Sequence, residues 1–205
     1  MKIILAILFL LVSSVCGQAQ TVSQFPLVRV DRIGEATARS FFVFSTPMRN
    51  YAIRHDGHGE SWAPNTMRKN FDLRMGGAGR LERLYFVEYE SDVVLEYEVT
   101  DQRGDWGYVL RMDQKTQRYK WITPLSANNL GPGLVAGNDF YFSASGFLAK
   151  LDMQTGAFVW QQPQLEHEWA FGLPTLKGET LIFQDEGELS RRVEVDKNTG
   201  RLIKN

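Results

Sequence analysis

Apolar and polar positions alternate along much of this chain with a period of two, the signature of strands that bury one face. Val93, Leu95, Tyr97 and Val99 fall on one side of such a run, with Glu96 and Glu98 on the other. Leu84–Glu90 reads as an aromatic-rich strand, and Phe41–Phe44 is apolar enough to be covered on both faces. Phe25–Val30 and Tyr51–Arg54 are further strand candidates. His55–Asn70, rich in Gly, Asn and Pro, reads as loop. Three stretches share one skeleton: Tyr108–Trp121 (YVLRMDQKTQRYKW), Gly146–Trp160 (GFLAKLDMQTGAFVW) and Arg192–Lys204 (RVEVDKNTGRLIK). Each reads strand, Asp-x-x-Thr, strand, which predicts a hairpin.

The turn chemistry supports that reading. Asp113, Asp152 and Asp196 stand where the first strand ends, and an Asp there accepts hydrogen bonds from the following backbone N–H groups. Thr116, Thr155 and Thr199 add a weaker hydroxyl version of the same bond. Gly156 and Gly200 supply the positive φ that a tight turn requires. Gln117 holds that place in the first copy, so its turn is expected to differ or to be strained. These Asp and Thr residues are assigned to structural turns, although the same residue types serve in catalytic and metal sites.

The hairpins recur at 39 and 44 positions, counted from Asp113 to Asp152 to Asp196. Trp121 and Trp160 each follow the Thr by five residues, and Lys204 takes that place in the third copy. Between the hairpins, Gly133–Phe142 and Gly172–Phe183 share a second pattern of short strand, Gly turn and strand. Repeats of about 40 to 45 residues with four short strands each indicate propeller blades. The expected fold is all-β and β-propeller-like, with about four blades of four-stranded antiparallel sheet, as a small closed ring or an open arc. Residues 77–205 carry the recognisable repeats. Residues 20–76 are a divergent part that could be a blade, a ring-closing strand or a cap. Trp121 and Trp160, recurring in register, are assigned to packing between blades.

This repeat resembles the PQQ-like (quinoprotein-type) β-propeller repeat, found in quinoprotein dehydrogenases and in non-enzymatic envelope propellers such as BamB-like proteins. The likeness is best over Trp121–Asn205 and weaker from about Arg80. Family members that bind the quinone carry a larger ring, a vicinal Cys–Cys disulfide and calcium ligands near a catalytic Asp. This chain lacks the cysteines and the length, so the resemblance implies shared blades, and no cofactor is expected.

Residues 1–19 read as a secretory signal peptide: Lys2, a ten-residue apolar run Ile3–Val12, and small residues before a cut after Ala19. The run is too short to span a bilayer, and no later stretch is long and apolar enough. Cys16 is the single cysteine. Val15 is larger than the residue that lipidation requires before its Cys, so lipid anchoring through Cys16 is not expected. With no other cysteine the core must stand without a disulfide, and the absence of an Asn-x-Ser/Thr sequon favours a bacterial envelope, most simply the periplasm. The net charge is -1, or -2 once Lys2 is removed, which gives no reason to expect a nucleic-acid partner.

Candidate chemistry is sparse. His55, His58 and Glu60 are the best metal-ligand set by composition, without the helical spacing of known zinc motifs. Glu166-His167-Glu168 is the other histidine site. No nucleophile elbow or P-loop occurs. Trp62 and Trp106, near Gly-containing loops, are candidate partner contacts. Arg103-Gly104-Asp105 spells an adhesion tripeptide and is assigned to chance within a turn. The leading expectation is a secreted, non-catalytic binding or scaffolding module for another envelope protein, of unspecified oligomeric state. The alternatives are a metal- or small-molecule-dependent enzyme using the His55–Glu60 loop, and a quinone-cofactor binder.

Overall fold

The structure is a computed structural model that describes residues 22–33, 41–75, 79–163, 170–185 and 191–204. Among these there is no helix. The chain forms four antiparallel sheets, and each is a blade. Blade one is built from β4 (Phe41–Ser45), β5 (Asn50–Arg54), β6 (His58–Trp62) and β7 (Lys69–Asp72). Blade two contains β8 (Arg80–Tyr89), β9 (Asp92–Asp101), β10 (Gly104–Asp113) and β11 (Tyr119–Leu125). Blade three has β12 (Leu134–Ala136), β13 (Asp139–Ala144), β14 (Phe147–Asp152) and β15 (Phe158–Gln162). Blade four has β16 (Thr175–Lys177), β17 (Thr180–Gln184), β18 (Arg192–Asp196) and β19 (Leu202–Lys204).

Three blades carry a fifth strand that the repeat pattern did not anticipate. The segment before blade one lies along their first-strand edges. β1 (Gln24–Pro26) pairs with β12, β2 (Val28–Arg29) with β8, and β3 (Arg32–Ile33) with β4. One short segment therefore straps blades three, two and one in turn. Its side chains are mostly exposed. Leu27 and Val30 are the buried anchors, and their N–H groups donate to Gly133 O and Leu84 O, each at 2.9 Å.

The expected loop His55–Asn70 is instead a strand and a turn, followed by the start of β7. Its polar, glycine-rich composition has a packing cause. On β6, Gly59 and Ser61 point inward, and a Cβ at Gly59 would stand 2.3 Å from the Phe71 ring. Ser61 accepts Arg49 Nε at 3.2 Å through its hydroxyl and Arg49 Nη2 through its carbonyl. The outward residues, His58 and Glu60, face solvent. A strand with small residues inside and charged residues outside has no apolar period to read.

The seams between blades are built by a recurring device. Trp121 Nε1 of blade two donates to Met153 O of blade three at 2.9 Å, and Trp160 Nε1 of blade three donates to Lys197 O of blade four at 3.0 Å. Each acceptor is the residue after the turn Asp. Each indole lies against the turn glycine, so a Cβ at Gly156 or Gly200 would stand 2.6 Å from the ring. In all three turns the Asp Oδ1 accepts two backbone N–H groups and the Thr hydroxyl. Those bonds hold the three carboxyls below the usual range. Gln117 adopts the same left-handed backbone, φ 60°, against 71° and 70° at Gly156 and Gly200. Its turn closes in the same way, with Gln117 N–H on Asp113 O at 2.9 Å. Among the described residues no indole occupies that turn. Lys69 of blade one reaches it instead, donating to Lys115 O at 2.6 Å.

Apolar side chains fill the seams. Phe42, Tyr51, Ile53 and Phe71 pack on Val93, Leu95 and Tyr97 between blades one and two. Phe140, Phe142 and Leu151 meet Val94, Val109 and Trp121 between two and three. Leu181, Phe183, Val193 and Val195 meet Tyr141 and Leu148 between three and four. Charged groups are also buried there. Arg111 bonds Asp92 and donates to Met153 O at 2.8 Å, crossing the seam. Glu96 is fully buried, with Oε2 accepting Gly133 N–H at 3.1 Å and Oε1 unpartnered. Burial pushes its carboxyl well above the usual range, against the pull of that N–H and of Arg83.

Two outcomes are expected. Gly156→Ala combines a positive φ with a clash on Trp121 and should cost about 2–4 kcal/mol in chemical denaturation, whereas Gln117→Gly should change stability by less than about 1 kcal/mol. Glu96 binds its proton more tightly folded than unfolded. Stability should therefore decline as pH rises from about 4.3, the unfolded value, to the raised folded value. Melting of Glu96→Gln should lose this component of the decline, and a pH profile unchanged from the parent would contradict the assignment.

Candidate functional site

Blade one differs from blades two and three in leaving one face uncovered. Along β4 the burial alternates, with Phe42 and Phe44 inside and Phe41 and Val43 about two-fifths exposed. Strand register places the outer residues in rows: Phe41, Arg54, His58 and Asp72 in one, and Val43, Ala52, Glu60 and Asn70 in the next. Trp62 follows on β6, with the Arg68 guanidinium 5.2 Å from its ring centroid. These residues, Val43 apart, line a cleft of about 570 Å³.

The charged groups on this face are paired. Arg54 binds Asp56, His58 Nδ1 binds Asp72, and Arg68 Nη1 lies 2.7 Å from Glu60. The expected metal set is not assembled. His58 and Glu60 share the outer face but are engaged by Asp72 and Arg68. His55 belongs to the β5–β6 turn, and its carbonyl accepts Leu81 N–H at 2.7 Å. Among the described residues no three His, Cys, Asp or Glu side chains converge on a metal position. The physical reason is that His55 lies in the β5–β6 turn, off the face that the strand period gives to His58 and Glu60.

Trp106 occupies a different part of the molecule. β9 and β10 are each ten residues long, against six for β13 and β14, and Trp106 lies near the tip of their hairpin. It is 37% exposed. Asp101 organises the tip: its carboxylate accepts Arg103 N–H at 2.7 Å, Trp106 Nε1 at 3.2 Å and Arg103 Nη2 at 3.1 Å. These bonds, the backbone N–H first, hold the Asp101 carboxyl below its ordinary value. The Arg103 guanidinium stands 6.0 Å from the indole centroid. The tip is thus a pre-ordered cation–aromatic pair on a rigid hairpin. Asp105 is also engaged, accepting the Thr100 hydroxyl.

A cavity of about 460 Å³ opens where the strap meets blades two to four, lined by Leu27, Arg29, Arg83, Tyr85, Pro132 and Phe171 among others. Arg83 Nη1 donates to Leu130 O at 3.0 Å and lies 3.5 Å from Glu98. The sequence does not single out this place, because its walls come from five separated segments. Residues 1–19 with Cys16, Glu166-His167-Glu168 and Trp169 lie outside the described residues.

No protein-family model matches the chain, and no curated protein sequence matches it. Solved structures do. BamB from Moraxella catarrhalis superposes with a TM-score of 0.53 at 15% identity, over 87% of this chain and 51% of that one. Quinohemoprotein alcohol dehydrogenase from Comamonas testosteroni gives 0.46 at 18% identity, over 57% of this chain and 19% of its own. The chain spans about half the length of the BamB structure it matches. It has a propeller fold like that of BamB, all-β, in four blades of four or five antiparallel strands.

Proposed function

We propose that this protein is a secreted, envelope-located and non-catalytic module that holds another envelope protein on a rigid propeller-like frame, without a resident cofactor. The observation that carries this reading is the β9–β10 hairpin. It projects an exposed indole and a guanidinium, both pre-ordered by Asp101, from a sheet whose interior is fully packed. Aromatic and Arg side chains held in place lose little entropy on binding and are common anchors of interfaces. The likeness to BamB supports the frame.

A photo-crosslinking residue placed at position 106, in protein made in its own cells, should give one dominant adduct with an envelope protein. The same residue at Lys115, on the opposite rim, should not. Equal labelling from both positions, or no adduct from position 106, would count against the reading. Arg103→Ala is expected to weaken capture by about tenfold while leaving the melting temperature unchanged, because truncating an anchor of this kind costs about 1–2 kcal/mol of binding.

A further inference from the structure

The cavity of about 460 Å³ beside the strap has walls that are held in place. The strand period puts Arg83 and Tyr85 on one face of β8, and register sets Arg29 of β2 opposite Tyr85. Glu98 and Glu96 continue that face on β9, opposite Arg83 and Tyr85. Both acids are engaged by the loop that walls the cavity. Glu98 accepts Leu130 N–H at 3.2 Å, and Glu96 accepts Gly133 N–H at 3.1 Å. Ser143 fixes the other wall: its hydroxyl accepts Phe171 N–H at 2.9 Å, and its carbonyl accepts Gly131 N–H at 3.0 Å. Gly131 lets the two walls meet, since a Cβ there would stand 2.1 Å from Phe171 O.

Hydrogen-bond donors are in excess on this lining. The Arg29 guanidinium makes no hydrogen bond or ion pair among the described residues. Arg83 uses Nη1 for Leu130 O and Glu98, while its Nε and Nη2 bond nothing among the described residues. Tyr85 is 6% exposed, and its hydroxyl has no hydrogen-bond partner among the described residues. Burial pushes that hydroxyl above its ordinary value, so it stays a donor at neutral pH. Asp185, a carboxylate on the lining, has a partner of its own. Leu27, Pro132, Phe171 and Leu173 supply apolar surface between the polar groups. Apolar walls with a few convergent polar groups, in a cavity of this size, have the proportions of a small-molecule site. A buried donor without a partner is costly, and a carboxylate satisfies several donors at once, two of them on a single guanidinium.

We propose that this cavity binds a small organic carboxylate with an apolar body. Arg29, Arg83 and the Tyr85 hydroxyl hold the carboxylate, and Leu27, Phe171 and Leu173 take the body. The ligand is exchangeable, and the inference is independent of the partner reading.

Fluorescence titration of the purified protein tests this with two probes. Anilinonaphthalene sulfonate carries an anion on an aromatic body, and phenylnaphthylamine is the same body without the charge. The sulfonate should bind at one saturable site with micromolar affinity. Arg29→Ala, at an exposed position, should weaken it by about fivefold or more with unchanged circular dichroism, and Tyr85→Phe by about threefold, since each removes a donor to the anion. Both variants should leave phenylnaphthylamine binding within about twofold of the parent, because they leave the apolar walls in place. Phenylpropionate should displace the sulfonate, whereas phenylpropionamide and inorganic phosphate should not. Absence of saturable binding overturns the proposal, as does a sulfonate affinity unchanged in either variant. Displacement by the amide as strong as by the acid would show an apolar pocket without anion recognition, and displacement by phosphate as strong as by the acid would show a bare anion site; either also overturns it.

Discussion

The interaction on which the rest depends is the docking of one blade's outer strand on the next blade's turn. A single blade is one repeat unit that cannot bury its apolar faces alone. It must cover both faces, and it can do so only if neighbouring sheets hold a fixed register. The indole N–H bond to the carbonyl after the turn Asp supplies that register, and the ring packed on the turn glycine supplies the area. The Asp and Thr of each turn matter because they hold that carbonyl in place. Their chemistry is engaged in backbone bonds, which explains why residues that look catalytic in the sequence form the frame instead.

The same constraint accounts for the differences between blades. Blades two and three are covered on both sides, and β9 and β14 are buried along most of their length. Blade one is covered on one side, and its outer face carries paired charges. The strap adds a second link, because its backbone bonds three blades at once while burying few side chains of its own. It also pairs the first-strand edges of those blades, which would otherwise be open to association with other strands.

Much of the architecture was legible. The Asp-x-x-Thr skeleton marks three hairpins because the turn needs those atoms whatever surrounds it. Blade one was not legible as a hairpin blade, because its turn replaces Asp with Ala63 and the glycine with Met67. A trace remained: Phe71 follows Thr66 by five residues, the spacing of Trp121 and Trp160 from their threonines, and it packs in the seam with blade two. The expectation that Gln117 would change its turn failed in part. The backbone takes the same left-handed form, and the side chain donates to Gln114 O at 2.8 Å. Glycine is needed where an indole covers the turn, which is a property of the neighbouring blade and invisible in the local sequence. The strap was legible only in part: Phe25–Val30 reads as a strand candidate, but three strands of two or three residues carry no period that would show one segment pairing with three blades. Of the candidate site, His58, Glu60 and Trp62 do share one face, while His55 was joined to them only by closeness in sequence.

Hydrogen exchange of the indole N–H groups, followed by NMR, tests the account most directly. Trp121 and Trp160 should exchange only with unfolding of the frame, as slowly as the central amides of β9 and β14. Trp106, exposed at its hairpin tip, should exchange orders of magnitude faster. Exchange of Trp121 and Trp160 at the rate of Trp106 would mean that the docked indoles do not hold the blades in register, and would contradict the account.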